Sequence, residues 1–140
     1  MTVNLAWIND DLAEVVAALS GFTACPIASQ AEPFTPPAFT SDPANPAVFV
    51  SWELVYTGTD YSFEPDDAPV RSGRLQLAAW VEPCPSAPGR ALDLLGSLLA
   101  VLLDATTWTN LTLLDALPQP GSMQANGWWA AGAVVDFKGA

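Results

Sequence analysis

Asp60, Ser62, Glu64 and Asp66 stand at alternate positions, where the first oxygen ligands of a calcium-binding loop fall, and Asp67 adds a fifth donor. The pattern then fails, because Pro65 holds the place of the turn glycine and Arg71 that of the bidentate glutamate. A solvated acidic loop is the simpler reading. Asp10 and Asp11 form a second carboxylate pair that could do acid and base work, yet no nucleophile or metal ligand stands near them. Their place at the positive end of a helix dipole accounts for both. The chain has no histidine, which removes His triads, His metal ligands and imidazole proton transfer. Cys25 and Cys84 are far apart and each precedes a proline, so neither a CxxC redox pair nor a zinc knuckle exists, while a disulfide between them stays open. No GxGxxG, P-loop, GxSxG or HExxH pattern occurs. The expectation is a protein that is not an enzyme and carries no cofactor and no metal.

The elements that would position these residues follow from periodicity. Leu5, Ile8, Leu12, Val15, Val16 and Leu19 recur at helical spacing, with Asn4 or Asn9 as the cap and Gly21 as the stop. Six prolines between Thr23 and Pro46 remove too many amide donors for a helix or central strand, which makes 23–46 a proline-rich arm. Ala47 to Thr57 and Gly73 to Glu82 alternate like two antiparallel strands, and the acidic loop at 58–72 joins them. Ala87 to Asp104 reads as the strongest helix, capped by Ser86 with Pro88 in its first turn. It is apolar almost all round, which points to burial against the sheet on one side and a second subunit on another. Thr106 to Leu114 reads as a strand, LPQPGSMQANG as a connector, and Trp128 to Phe137 as a last strand. The order predicts one α+β domain over 1–140, with a mainly antiparallel sheet of about four strands and two helices packed on it.

Composition narrows the partners. The 140 residues carry 4 basic and 15 acidic groups, a net charge of −11, and 51% of them are hydrophobic. Gripping nucleic acid or an anionic membrane needs clustered Lys and Arg, so specific binding to either is not expected. Positions 1 to 8 lack the basic and apolar regions of a secretion signal, which points to a cytoplasmic chain. In that setting the glycosylation pattern Asn110-Leu111-Thr112 has no use. Six tryptophans are more than one core of this size easily buries; Trp80 and the Trp128-Trp129 pair are the candidates for a subunit interface. Adjacent strand residues face opposite sides, so one of Trp128 and Trp129 must point away from what the other packs on.

The segment EPFTPPAF at Glu32 to Phe39, then a strand, an acidic loop, SGRLQLAAWVEP and the helix opening PGRALDLLGSLLAVLLD together resemble the tail terminator (tail completion, neck) proteins of long-tailed bacteriophages. The resemblance covers about residues 5 to 105. It implies a virion protein, assembled in the host cytoplasm, that forms a homo-oligomeric ring, usually of six, on the head-proximal end of the tail tube. Its partners would be the tail tube protein and the head-tail connector protein, with DNA passing through without specific binding. Asp60, Glu64, Asp66 and Asp67 would then line the channel and repel DNA, and Arg71, Arg74 and Arg90 would supply the few cations for subunit contacts. Another phage structural part, such as a connector, tube subunit or decoration protein, shares the same composition. A cellular α+β domain enclosing an apolar ligand between the second helix and the sheet is the reading from a different class.

Overall fold

The computed structural model describes residues 3–61 and 68–139. Two helices, α1 (Ala6–Ala18) and α2 (Ala87–Asp104), lie with a five-stranded sheet made of β1 (Ile27–Ala28), β2 (Val48–Asp60), β3 (Val70–Val81), β4 (Leu111–Met123) and β5 (Trp129–Gly139). The strand order is β1-β2-β3-β5-β4. The expected α+β class holds, with one strand more than expected: β1 adds to β2 in parallel, which makes the sheet mixed. Its two residues come from the proline-rich arm, where Pro26 keeps a carbonyl that accepts from the Val50 N–H although it has no N–H of its own.

Alternation sets the two sheet faces. On β3, Arg71, Gly73, Leu75, Leu77, Ala79 and Val81 are all buried on the helix side. They stand beside Val50, Trp52 and Leu54 of β2 and Ala131, Ala133, Val135 and Phe137 of β5 in one core. Onto this face α2 lays Ala91, Leu95, Leu98 and Leu102, a stripe at helical spacing whose members are at most 2% exposed. Each of those leucines contributes on the order of 2 kcal/mol of burial. Gly73 has no side chain because a Cβ there would run into the Val55 carbonyl and the Phe137 ring.

Four sequence expectations are corrected. The acidic loop is shorter than 58–72, since β2 runs to Asp60 and β3 starts at Val70. Glu64, Asp66 and Asp67, with Ser62 and Pro65, lie outside the described residues. Prolines 118 and 120 do not end the fourth strand: β4 starts at Leu111 and continues through both. It sits on the sheet edge, where a missing N–H on the open side costs nothing, and it is bulged between Leu113 and Ala116 and between Gln119 and Ser122. Helix α1 starts at Ala6, with Leu5 in the cap position and the Asn4 side chain accepting from the Ala6 N–H, so Asn9 is an interior residue. Ser86 does hold the cap position of α2, but its hydroxyl bonds Arg90 Nε rather than the helix backbone.

Candidate functional site

Two polar centres and two open surfaces define what the chain offers. The first centre follows from parity. Trp7, Asp11, Glu14, Val15 and Ala18 share the buried face of α1, and Arg71 shares the inward face of β3. Where they meet, Arg71 Nη2 lies 2.6 Å from Asp11 Oδ1 and Arg71 Nε 2.7 Å from Asp11 Oδ2, a two-pronged ion pair with both side chains out of water. The Tyr56 hydroxyl donates to Asp11 Oδ2 at 2.7 Å, and Arg71 Nη1 donates to the Pro69 carbonyl. The guanidinium also stands 5.1 Å from the centroid of the Trp7 ring. Hydrogen bonding to Asp11 pushes the Arg71 guanidinium further up, and burial followed by the Asp11 carboxylate pushes the Tyr56 phenol well above its ordinary range. One turn on, Glu14 accepts from the N–H groups of Thr109, Asn110 and Leu111 and so fixes the start of β4.

The second centre is Glu82, just past the end of β3. Its carboxylate accepts from the N–H groups of Thr40, Ser41 and Ala47 and from the Thr40 hydroxyl, all at 2.9 to 3.1 Å. Partial burial pushes this carboxyl up, but the three backbone N–H groups and the hydroxyl outweigh it and hold it down at about 2. Ser41 is held at φ 56, a left-handed conformation that a serine adopts at some strain. Thus tied, the arm lies over the outer sheet face: Phe34 packs on Phe49, Phe39 on Trp128, and Phe49 stacks parallel to Trp80 at 5.5 Å. The Trp80 indole N–H donates to Ser51 Oγ. At the β1 edge the Gln30 side chain bonds both the N–H and the carbonyl of Leu54, as a neighbouring strand would.

Beyond the aromatic cluster the outer face is an open trough of about 510 Å³ bordered by Ser51, Glu53, Arg74, Gln76 and Val134. At the far edge, nearly every residue of β4 is exposed, including Leu114, Leu117 and Met123.

The residues expected at a subunit interface therefore separate. Arg71 is 3% exposed and belongs to the internal ion pair, not to a subunit surface; Asp11 is its partner and not a helix-start acid. Trp128 is buried in the outer aromatic cluster, while Trp129, on the opposite face, is half-buried against the helix-side core with its indole stacked over Gly121. Trp80 is half-buried in the same outer cluster as Trp128, stacked on Phe49. Arg74 is exposed and 3.9 Å from Asp136, and Arg90 is exposed with its guanidinium on Ser86 Oγ and the Ala44 carbonyl. Asp60 is the last residue of β2. Cys25 and Cys84 are free thiols, and burial pushes the Cys25 thiol up. Among the described residues no group of three or more His, Cys, Asp or Glu could hold a metal ion, and no helix is long and apolar enough to cross a membrane.

Fold and surfaces define a small α+β chain with a covered inner sheet face, a strapped outer face and an exposed far edge. No known protein family matches the chain, and no curated protein matches it in sequence.

Proposed function

We propose that the chain is a tail terminator subunit of a long-tailed bacteriophage, assembling as a ring of six on the head-proximal end of the tail tube. The observation that carries this reading is the inequality of the two sheet edges. One is closed by β1 and the Gln30 side chain; the other, β4, exposes Leu114, Leu117 and Met123. A head-to-tail ring needs two unlike patches on each subunit, one to offer and one to receive, and a chain with two unlike edges offers them. The bulges and prolines of β4 disfavour simple addition of another strand, so the contact is made by side chains of β4 rather than by continuing the sheet. The net charge of −11 supports the channel role of the acidic hairpin, since a negative wall keeps DNA from adhering as it passes. The tube protein and the connector are the partners of this reading, and Arg74 and Arg90 are exposed to meet them.

Native mass across protein concentration, with and without preformed tail tubes, tests the proposal. A closed ring near six subunits, or recruitment of rings to tube ends, is the expected result. A strict monomer that ignores tubes at every concentration overturns it. Neutralising Asp60, Glu64, Asp66 and Asp67 is expected to leave assembly intact and slow DNA ejection; normal ejection would remove the hairpin from that role.

A further inference from the structure

We propose that the solvent face of α2 is a contact between two copies of this chain, closed by a two-fold axis through Gly96. This goes beyond the ring reading, which rests on the β4 edge, and shares only Arg90 with it.

Gly89, Leu92, Gly96, Ala100 and Leu103 all lie exposed on one side of α2, opposite the stripe that covers the sheet, with Leu92 50% and Leu103 49% exposed. A glycine weakens a helix interior relative to alanine, so its presence there calls for a packing reason. Within this chain Gly96 has none: a Cβ at Gly89 or at Gly96 would meet nothing within 4 Å. What a bare backbone offers is close approach by something from outside.

The spacing identifies that visitor. Along the stripe the intervals are three, four, four and three residues, the same read in either direction. When two such helices cross antiparallel, residues equidistant from Gly96 face each other. Gly96 then meets Gly96, Leu92 meets Ala100 of the second copy, and Leu103 meets Gly89. Every large side chain finds a small one, which is the interdigitation that helix packing requires. Charge agrees with the same register. Arg90 and Asp104 border the stripe on one flank, six residues before Gly96 and eight after it, so Arg90 of each copy falls beside Asp104 of the other. The Arg90 guanidinium is exposed and bonded to a hydroxyl and a carbonyl rather than to a carboxylate, which leaves its charge available. Asp93, on the same flank, stands three residues after Arg90 and has its nearest cation along the helix there, in its own copy.

The full chain is examined by sedimentation velocity from low to roughly millimolar concentration without tubes. A reversible dimer is expected. Gly96→Gln is expected to weaken it by roughly tenfold or more while the melting temperature of the monomer holds or rises, because glutamine is the better helix former and has room. Arg90→Asp and Asp104→Arg should each weaken the dimer, and the double variant should restore it. A wild-type chain that stays monomeric throughout overturns the proposal, as does a dimer insensitive to Gly96→Gln, or charge variants that fail to rescue each other. The ring reading fails separately: a Gly96-sensitive dimer that never joins tubes supports this contact and removes the ring, and a six-fold ring indifferent to Gly96→Gln does the reverse.

Discussion

Two buried carboxylates hold this fold at opposite ends, by different chemistry. Asp11 faces a full positive charge, the Arg71 guanidinium, in a place where neither side chain reaches water. Glu82 faces no cation; three backbone N–H groups and a hydroxyl hold it. The first arrangement joins two regular elements, α1 and β3, that are already placed by their apolar stripes. The second fastens an arm whose prolines leave it little structure of its own. A charge pair in the interior recovers roughly what desolvating both ions costs, so its chief effect is to penalise any arrangement that separates the partners. A carboxylate on backbone donors instead satisfies groups that the arm cannot pair by itself.

Removing one member of the charge pair should give the largest effect. Arg71→Met leaves Asp11 buried and unpaired, and the expected loss is about 3–5 kcal/mol in urea or thermal unfolding. Replacing both partners, Asp11→Leu with Arg71→Met, should lose distinctly less than the single change, because no charge is then stranded. Equal losses would mean that the guanidinium matters for its packing on Trp7 and not for its charge.

At the other end the sensitive variable is pH. The Glu82 carboxyl titrates at about 2 in the fold against an ordinary 4.5, so the folded state favours its ionised form. Its stabilising contribution is therefore complete above about pH 4.5 and is lost as the pH falls from there towards 2. Acrylamide quenching of tryptophan fluorescence, with Trp128 uncovered as Phe39 lifts away, should rise over that window in the wild-type chain. In Glu82→Gln it should be high already at neutral pH and vary little on acidification. An arm equally protected in both proteins would show that the contacts of Phe34 and Phe39 hold it without the carboxylate.

These two ends also differ in how far the sequence disclosed them. β2, β3 and β5, both helices and the antiparallel pairing of β2 with β3 follow from period-2 and helical spacing, and the structure has them close to where the pattern ends. Asp11 and Arg71 were legible in principle: Arg71 has the parity of Leu75 and Leu77, and Asp11 stands four residues before Val15. A charged residue at an inward position reads as a chain terminus or loop when its partner is 60 residues away, and the helix dipole offered Asp11 a local explanation. The grip of Glu82 on Thr40, Ser41 and Ala47 left no such trace, since backbone N–H groups are the same at every residue. β4 departs from its expected bounds for another reason. Proline excludes a central strand, and only the sheet order reveals that this strand is an edge.

Smaller changes refine the contrast. Tyr56→Phe removes the hydroxyl that donates to Asp11 but leaves the two-pronged ion pair, so about 1 kcal/mol is the expected loss. In the wild-type chain this phenol should keep its proton beyond the ordinary 10, and its stabilisation is full below that value and lost as the pH rises past it. Phenolate absorbance with an alkaline step missing one tyrosine checks this; both tyrosines titrating together would place Tyr56 in water. The smallest effect belongs to Arg74. Its Nε lies 3.9 Å from Asp136 with both side chains more than half exposed, and a pair of that kind is worth under about 0.5 kcal/mol. Arg74→Ala should leave unfolding unchanged within error, with or without added salt. Because Arg74 borders the open trough, any loss of ring formation or tube binding in that variant would come from a lost partner contact and not from the fold. Set against Arg71→Met, the pair separates the two uses of arginine in this chain: one holds α1 to β3, and the other is left facing outward.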